Sequence, residues 1–419
     1  MTPVTHFTYR HGGLHCESVS LARLADAVGT PAYVYSKAAL LESYGAYDAA
    51  FKDVPHVICY AIKANSNLAV IATLARAGAG ADIVSGGELH RALRAGVPPK
   101  KIIFSGVGKT REEMRDALKA DILMFNVESL SELRVLDEVA REAGTRAPVA
   151  LRVNPDVDPH THKYISTGLK TSKFGIPYTQ ALAAYEQAAK LPGLQVVGAQ
   201  MHIGSQLTKS APFADATARV AALVKTLRER RIEISIVDVG GGLGIRYRDE
   251  TPPSHAEYAT VLLPALRELG ATVLLEPGRS IVGNAGALLT RVLYHKATDT
   301  KNFVVVDAAM NDLIRPAFYD SYHEILPVAQ ARAGAAKETA DVVGPICESG
   351  DFFAKDREMP RPEEGDLLAL MSAGAYGFVM ASNYNTRPRP VEVLVDGDRY
   401  TIVRRRETFE DLVAGETMA

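Results

Sequence analysis

Apolar and polar positions alternate in a regular order along the middle of the chain. Short apolar runs rich in β-branched residues are followed by longer amphipathic segments from about residue 56 to residue 280, the pattern of repeated strand and helix units. Eight runs have the composition of buried strands: VICYAIK, ADIVS, KIIFSG, ILMFNV, PVALRVN, LQVVGAQMHIG, IVDVGGG and TVLLEPG. Eight such units favour a closed (β/α)8 TIM-like barrel of the α/β class over an open sheet.

Cap signals mark two of the helices between these strands. Gly78 is predicted to cap the C-terminus of the segment NLAVIATLARAG, because glycine readily adopts the conformation that ends a helix. Ser129 and Glu132, three residues apart at the start of SLSELRVLDEVAREAG, are predicted to form a capping box.

The pattern changes after residue 280. Segments such as FVVVDA, DLLALM and PVEVLVDGDRYTIVRRR have the pattern of strands joined by turns, which predicts a β domain. The first 35 residues contain two more strand-like segments, FTYRHGGLHCESVS and PAYVYS, which can pair with it. We therefore predict a barrel domain over residues 36–280 and a β-sandwich or β-barrel-like domain formed by residues 1–35 and 281–419.

Composition and charge narrow the class of partner. The 419 residues are 47% hydrophobic and 23% charged, with a net charge of −2, which is typical of a globular protein and provides no basic surface for nucleic acid or an anionic membrane. The sequence contains no apolar run of membrane-spanning length and no secretory signal, so we expect a cytoplasmic protein with a small-molecule partner. Cys16, Cys59 and Cys347 are widely separated, which predicts neither disulfides nor a metal site.

Residues suited to chemistry follow the predicted strands. The loops after the strands of a barrel converge at one end, so we expect one site formed by Lys63, Asp82, Glu88, Arg152, His202, Ser205, Gly240, Gly241, Gly242, Glu276 and Arg279. Each alone has an ordinary explanation: a lysine at a strand end is usually a solvated charge, a glycine triplet is usually a tight turn, and Asp82 with Glu88 can be paired surface carboxylates. Their concentration at one rim favours a functional site.

Two of these loops predict a phosphate site and, with it, a cofactor. Barrels commonly bind phosphate on backbone N–H groups of the loops after the seventh and eighth strands, where residues 240–242 and 277–279 fall. Lys63 has no neutralising residue nearby in the sequence, and a poorly hydrated amine is nucleophilic. Pyridoxal 5′-phosphate combines a phosphate with an aldehyde that condenses with lysine, so we predict it as the cofactor and Lys63 as its Schiff-base residue. Glu276 is then suited to the ring nitrogen and His202 to the ring face.

Longer motifs carry a resemblance to a known family. YAIKAN, HIGSQ, DVGGGLG, EPGRS, GPICESGD and GAYGFVMASNYN follow in this order across nearly the whole chain. They resemble the fold-type III pyridoxal-phosphate decarboxylases, the group that includes ornithine decarboxylase and alanine racemase. Two further segments, HTHKYISTGLKTSKFG at residues 160–175 and CESGDFFAKDREMP at residues 347–360, are similar to the meso-diaminopimelate decarboxylases of this family. The resemblance implies decarboxylation of meso-2,6-diaminopimelate to L-lysine and CO2, the last step of lysine biosynthesis.

The resemblance also implies roles for particular residues. Lys63 is the expected Schiff-base lysine, Glu276 the partner of the pyridine nitrogen, and Cys347 the expected proton donor, with Lys63 as second choice. The expected cofactor contacts are Lys63, Asp82, Arg152, His202, Ser205, Gly241, Gly242, Glu276, Gly278, Arg279 and Tyr376. The expected substrate contacts are Arg279, Arg315, Tyr319, Glu348 and Tyr376. In this family the CESGD segment enters the active site of the neighbouring subunit, which implies a homodimer.

The charges among these residues suit a substrate with an amino-acid group at each end. Arginine binds a carboxylate bidentately and a carboxylate binds an ammonium; Arg279, Arg315 and Glu348 supply both signs. A decarboxylase acting on ornithine, arginine or carboxynorspermidine is the nearest alternative. An amino-acid racemase is disfavoured by Glu276, and a noncatalytic pyridoxal-phosphate protein by the long C-terminal β domain.

Overall fold

The computed structural model describes residues 6–157 and 173–418. The chain forms two compact units. The barrel unit comprises Glu42–Ile245 and Thr251–Ser280, and the β unit comprises Met1–Leu41, Arg246–Glu250 and Ile281–Ala419. Among the described residues, no helix combines the length and the apolar character needed to cross a bilayer.

The described strands, in chain order, are β1 Phe7–Arg10, β2 Gly13–Cys16, β3 Val19–Ser20, β4 Ala32–Ser36, β5 His56–Ala61, β6 Gly80–Ile83, β7 Ile102–Phe104, β8 Met124–Val127, β9 Ala147–Asn154, β10 Ile176–Pro177, β11 Leu194–Gln200, β12 Ile236–Asp238, β13 Thr272–Leu275, β14 Gly286–Ala297, β15 Asn302–Val306, β16 Ile325–Pro327, β17 Lys337–Val343, β18 Phe352–Pro360, β19 Leu367–Leu370, β20 Val391–Asp396 and β21 Arg399–Arg404.

The described α-helices are α1 Leu21–Val28, α2 Lys37–Phe51, α3 Leu68–Arg76, α4 Gly86–Arg94, α5 Arg111–Lys119, α6 Leu130–Glu142, α7 Tyr178–Ala188, α8 Ala211–Glu229, α9 His255–Leu269, α10 Arg279–Val282, α11 Arg315–Tyr319, α12 Gln330–Ala333 and α13 Phe409–Val413.

Eight parallel strands close into a barrel. Going round it, β5, β6, β7, β8, β9, β11, β12 and β13 are hydrogen-bonded neighbours, and β13 pairs with β5 to complete the circle. These strands correspond to the eight apolar runs, so the predicted (β/α)8 barrel is confirmed. Several strands end earlier than predicted. β5 stops at Ala61 and β11 at Gln200, which leaves Lys63 and His202 beyond the strand ends.

The barrel interior is layered. Cys59, Ile103, Met124, Ala150 and Leu274 form one buried apolar cluster. Because side chains on a strand alternate between its two faces, the residues two positions further along the same strands point to the same side. Four of these five later positions carry polar side chains, namely Ser105, Asn126, Arg152 and Glu276, so the C-terminal end of the barrel is chemically different from its middle.

The two predicted helix caps are only partly correct. Helix α3 ends at Arg76 with Ala77 as its cap residue, and Gly78 follows with a positive φ of 110°, so the predicted cap lies one residue too late. At the start of α6 the Ser129 hydroxyl accepts from the Glu132 N–H, as predicted. The Glu132 carboxylate completes no capping box, because it is buried against Lys109 and accepts from the Glu128 N–H instead.

The β unit is built mainly around one sheet with the order β18-β17-β15-β14-β4-β20-β21, with β19 and β16 continuing from β14. β4 lies between β14 and β20, so the N-terminal segment pairs with strands from the C-terminal part of the chain. β1, β2 and β3 form a separate three-stranded sheet. Its buried side chains and those of β4, β14 and β20 belong to one apolar cluster that includes Phe7, Leu14, Val34, Leu289 and Val393.

Candidate active site

A layer of buried polar side chains covers the apolar middle of the barrel. Asn126 and Glu276 lie two residues beyond Met124 and Leu274, so the strand period places them over the apolar cluster. The Asn126 amide donates to Asp238 Oδ2 (3.0 Å), Ser105 Oγ (3.1 Å) and Glu276 Oε1 (3.2 Å). Gln200 Nε2 also donates to Glu276 Oε1, at 3.1 Å. Each of these residues is buried, so the layer is a connected polar network.

Ser105, Asn126, Gln200 and Asp238 were absent from the sequence prediction. A signal for them exists, because Asn126 follows an inward-facing apolar residue of the same strand at a spacing of two. To use that signal, one must know which face of the strand points into the barrel. The sequence alone does not show this for short strands that are buried on both faces.

Two carboxyl groups of this network and the nearby Asp82 carboxylate repel one another electrostatically. Asp82, Asp238 and Glu276 are all buried. Burial raises the pKa of Asp238 to about 6. The pKa of Glu276 is raised well above its ordinary value by burial and by the negative charges of Asp238 and Asp82. The Lys63 ammonium opposes this effect on Glu276. Burial and mutual repulsion thus oppose the ionisation of both Asp238 and Glu276.

Lys63 lies at the mouth of the barrel in a short 3-10 turn, Ile62–Ala64, directly after β5. Its Nζ is 2.7 Å from Asp82 Oδ2, so the expectation of a lysine without a neutralising neighbour is wrong. The partner was hidden in the sequence because it comes from the adjacent strand, where Asp82 stands opposite Ala61. The Lys63 side chain is 36% exposed and the Asp82 side chain 0%. The amine is therefore accessible, while its counter-ion is shielded.

His202 follows β11 and is held as a neutral imidazole. Its Nδ1 accepts from the Gly241 N–H at 3.2 Å, so the ring proton of the neutral form is on Nε2. Burial and the positive charges of Arg152 and Lys63 lower the pKa of His202 well below its ordinary value. A flat, neutral ring in this position is suited to contact with an aromatic ligand.

The glycine-rich loop is shaped by its neighbours as well as by any ligand. A Cβ at Gly241 would lie 2.2 Å from the Glu276 carbonyl oxygen, and one at Gly242 would lie 2.4 Å from that of Gly204. Gly242 also has a φ of 109°, which glycine adopts without strain. The sequence explained these glycines by the approach of an anion; the structure adds that larger residues would collide with backbone.

Two N–H groups in these loops suit an anion. The Gly241 N–H already donates to His202, whereas those of Gly242 and Gly278 donate to no protein acceptor within residues 6–157 and 173–418. Arg279, which follows Gly278, is buried, and its Nη2 donates to Ser205 Oγ at 3.1 Å. The loops after the seventh and eighth barrel strands thus combine N–H donors, a hydroxyl and a guanidinium, which is a donor set that fits a phosphate.

Arg152 is engaged in a buried ion pair. Its Nη1 is 2.8 Å from Glu128 Oε1, its guanidinium lies 4.7 Å from the centre of the Phe174 ring, and its Nη2 donates to the His202 carbonyl at 3.4 Å. Glu128 also accepts from the Gly175 N–H at 2.8 Å. Arg152 therefore acts on His202 through its charge and through the His202 backbone. Most of the motif at residues 160–175 lies outside the described residues, because residues 158–172 are not described.

The remaining predicted residues belong to the β unit. Arg315 is buried at the start of α11, and Tyr319 ends that helix half-buried. Cys347 and Glu348 are exposed on a loop, where the Cys347 N–H donates to Asn385 Oδ1 at 2.8 Å. Tyr376 has a φ of 56° and is half-buried.

Comparison with known proteins identifies the class. Residues 37–283 match the family described as pyridoxal-dependent decarboxylase, pyridoxal binding domain. The chain therefore belongs to the pyridoxal-dependent decarboxylases, in agreement with its barrel and β unit.

The relatives specify a particular enzyme within that class. The chain is 56% identical to the diaminopimelate decarboxylase of Pseudomonas aeruginosa over 98% of this chain and 99% of that protein. Two crystal structures of diaminopimelate decarboxylase complexed with L-lysine are similar to it. The M. jannaschii structure has 41% identity and a TM-score of 0.93 over 99% of this chain and 98% of that one. The Helicobacter pylori structure has 43% identity and a TM-score of 0.90 over 94% and 98%.

The raised pKa values of the buried carboxyl groups predict that the stability of the protein depends on pH. We expect Asp238→Asn to weaken this pH dependence. A carboxyl group whose pKa is raised on folding keeps its proton in the folded chain after the unfolded chain has lost it. The free energy of unfolding therefore falls as pH rises from about 4 through the pKa of the folded state. Each such group lowers it by up to about 1.4 kcal/mol per pH unit. The asparagine removes one such group and one charge beside Glu276. The fall in Tm between pH 5 and pH 8, measured by circular dichroism on protein freed of cofactor, should therefore be smaller in the variant.

His202 also contributes to the pH dependence of stability, but it does so equally in both proteins. Its lowered pKa makes stability fall in the opposite direction, as pH drops below the ordinary histidine range. This contribution is common to both proteins and cancels when their pH dependences are subtracted. An equal fall in Tm in both proteins would show that Asp238 is already ionised in the folded chain.

Proposed function

We propose that this protein decarboxylates meso-2,6-diaminopimelate to L-lysine and CO2 with pyridoxal 5′-phosphate as cofactor. The bond between one α-carbon and its carboxylate breaks, CO2 leaves, and a proton takes its place on that carbon. The family membership and the relatives named diaminopimelate decarboxylase support this reaction. The observation that carries it in the chain itself is an accessible amine, Lys63, beside a buried carboxyl network that contains Glu276.

The residues of the barrel mouth fit the cofactor. Bound pyridoxal phosphate supplies an aldehyde that condenses with amines and a conjugated ring that accepts the electron pair freed when CO2 leaves. Lys63 would hold the aldehyde carbon through its amine. Glu276 would hold the ring nitrogen, and the Gly242 and Gly278 N–H groups with Arg279 and Ser205 would bind the phosphate.

Glu276 favours decarboxylation over racemisation. A carboxyl at the ring nitrogen keeps that nitrogen protonated, which strengthens electron withdrawal from the bond that breaks. Burial and the negative charges of Asp238 and Asp82 raise the pKa of Glu276 well above its ordinary value, so this carboxyl group is suited to sharing a proton with a ring nitrogen.

His202 orients the cofactor without adding charge. The Gly241 N–H fixes the ring through Nδ1, and burial together with the positive charges of Arg152 and Lys63 lowers the pKa of His202, which keeps the ring neutral. A neutral imidazole can lie against the ring face without competing electrostatically with Lys63. We assign the Arg152–Glu128 pair to this supporting role.

The residues of the β unit are assigned to the distal end of the substrate. Diaminopimelate carries a second amino-acid group, so a selective enzyme must bind both a remote carboxylate and a remote ammonium. Arg315 and Arg279 suit the carboxylate and Glu348 the ammonium. Tyr319 and Tyr376 provide hydroxyl groups for the same end. Binding there orients the end that reacts.

The protein is further proposed to work as a cytoplasmic homodimer. Cys347 and Glu348 are exposed on the surface of a single chain, although Cys347 is assigned as the donor of the final proton. Residues with such roles are expected to be enclosed by protein, which a second copy would provide. All three cysteines are free thiols, as is usual in a reducing compartment.

Product analysis tests the proposed function. Purified protein loaded with pyridoxal phosphate should release CO2 from meso-diaminopimelate and form L-lysine in equal amounts. Ornithine, arginine, lysine and carboxynorspermidine should react at least about a hundredfold more slowly in kcat/KM, because none places a free carboxylate and ammonium together at the distal carbon. Preference for ornithine or lysine would overturn the substrate assignment, and interconversion of stereoisomers without CO2 release would indicate a racemase.

A further inference from the structure

Arg315 is held in a cradle of side chains from two segments of the β unit. Its guanidinium carbon lies 4.8 Å from the centre of the Tyr247 ring. Its Nη2 donates to Ser321 Oγ at 3.1 Å, and its Nη1 donates to His323 Nε2 at 3.2 Å. We call Tyr247, Ser321 and His323 the arginine cradle. The proposed function assigns a contact to Arg315 and none to these three residues.

The geometry fixes the protonation of His323. Arg315 can only donate, so Nε2 must accept, and the Met371 carbonyl, 2.8 Å from Nδ1, can only accept, so Nδ1 must carry the proton. Both requirements are met by one tautomer of the neutral ring. His323 is fully buried, and its own carbonyl accepts from Arg357 Nη1 at 3.0 Å. The ring therefore presents a fixed acceptor to Arg315.

The aromatic side of the cradle is also constrained. Tyr247 belongs to Arg246–Glu250, the short stretch that leaves the barrel sequence and packs with the β unit. The N–H groups of Tyr247 and Arg248 both donate to Glu250 Oε2, at 2.9 and 2.7 Å. The Tyr247 and His323 rings meet edge to face, with centroids 5.6 Å apart. Two sides of the guanidinium are thereby held by groups that are themselves anchored.

We propose that His323 is a positioning residue that, with Tyr247 and Ser321, fixes the Arg315 guanidinium for bidentate binding of the distal carboxylate of the substrate. This inference rests on the proposed function, because it presumes that Arg315 binds that carboxylate. An unrestrained arginine loses rotamer freedom on binding, whereas an arginine already held in place binds its ligand with less loss. The cradle thus contributes to substrate affinity and to discrimination against substrates without a distal carboxylate.

A double-mutant cycle on the holoenzyme tests the proposal. His323→Leu should raise KM for meso-diaminopimelate roughly tenfold, the effect of losing one hydrogen bond to a charged group, with kcat changed less than about threefold. In an Arg315→Ala background the same replacement should change kcat/KM less than about twofold, because interacting residues are not additive. His323→Gln, which keeps an acceptor near the position of Nε2, should recover most of the lost affinity.

Controls separate positioning from general damage. Tyr322→Leu removes a neighbouring ring that stacks on Arg357 and Arg248; it should leave KM unchanged. The visible absorbance of the bound cofactor should be the same in all variants. If His323→Leu does not fold, Ser321→Ala can replace it in the double-mutant cycle with Arg315→Ala, because Ser321 accepts the other hydrogen bond from the guanidinium.

The outcomes are distinct. Equal effects of His323→Leu with and without Arg315, or an unmoved Arg315 in a crystal structure of His323→Leu, would overturn the positioning role. Absence of turnover of meso-diaminopimelate by the unmutated enzyme would instead overturn the proposed function, and the crystal structure would still decide whether His323 holds Arg315.

Discussion

Replacing Lys63 with alanine is expected to lower CO2 release from meso-diaminopimelate by at least about a thousandfold, the scale on which a positioned nucleophile or proton donor acts. Lys63 is the accessible amine at the barrel mouth, and its partner Asp82 is fully shielded. Without the amine, the cofactor loses its covalent link to the protein. Borohydride reduction followed by peptide mapping should label the Lys63 peptide in the unmutated enzyme and no lysine in the variant.

Lys100→Ala is a matched control for this experiment. Lys100 also pairs with an aspartate, Asp121, but both side chains are exposed, and exposed pairs contribute little. The control should retain full activity and the labelled Lys63 peptide. A covalent, borohydride-stable adduct in Lys63→Ala would show that another amine carries the cofactor.

The same variant tests the proposed homodimer. Lys63→Ala and Cys347→Ala should each be nearly inactive alone. If Cys347 serves the site of the neighbouring subunit, mixing the two variants creates dimers in which one site has both residues intact. Activity should then return to at most about a quarter of the unmutated level, because random pairing makes half of the dimers mixed and each mixed dimer has one complete site. No recovery, with subunit exchange shown by mass spectrometry, would place Cys347 in its own chain's site.

The barrel was predictable because its signal is local. Each buried parallel strand is a short apolar run between amphipathic segments, and eight such runs leave few alternatives to closure. The exact ends of the strands were harder to predict from the sequence. IVDVGGG and LQVVGAQMHIG both continue beyond the observed strands, which end at Asp238 and Gln200, because the residues that follow are as apolar or as small as those inside the strand.

Residues of the candidate site could be predicted where the residue type alone suggests a chemical role. They could not be predicted where the role depends on a contact with a residue that is distant in sequence. Lys63, His202 and Glu276 stand out at strand ends. Asp82 as the ion-pair partner of Lys63 could not be deduced, because the pair joins two strands. The amide of Asn126 bonds to Asp238, which is 112 residues away in sequence. Such contacts arise from barrel closure, and only the folded register reveals them.

The order of strands in the β unit was equally hidden. Individual strands such as β15 and β19 were visible as apolar segments, but β4 is inserted between β14 and β20, parallel to one and antiparallel to the other. Sequence distance gives no guide to that pairing. The same holds for Tyr247, which lies within the sequence of the barrel but stacks on Arg315 in the β unit.

Glu276→Gln is expected to lower kcat by about a hundredfold or more, the usual effect of removing a preorganised electrostatic group. The amide nearly preserves the shape of the side chain and can keep a bond with Asn126 or Gln200. It cannot carry the negative charge that keeps a ring nitrogen protonated, so the electron pair left by CO2 is less well stabilised. KM for meso-diaminopimelate should change little, because Glu276 makes no assigned contact with the substrate.

Measurement of kcat and of cofactor absorbance separates this effect from loss of binding. Glu276→Gln should still bind pyridoxal phosphate covalently at Lys63, since the amine and its Asp82 partner are unchanged. Ser105→Ala is the matched control: it removes the long 3.4 Å contact with Glu276 Oε1 and one acceptor of the Asn126 amide, but leaves the Glu276 carboxyl group in place. The kcat should therefore fall less than about tenfold, consistent with the loss of weak neutral hydrogen bonds. Full kcat in Glu276→Gln would mean that the ring nitrogen needs no carboxylate, and the preference for decarboxylation would then have to arise from how Arg315 and Arg279 orient the substrate.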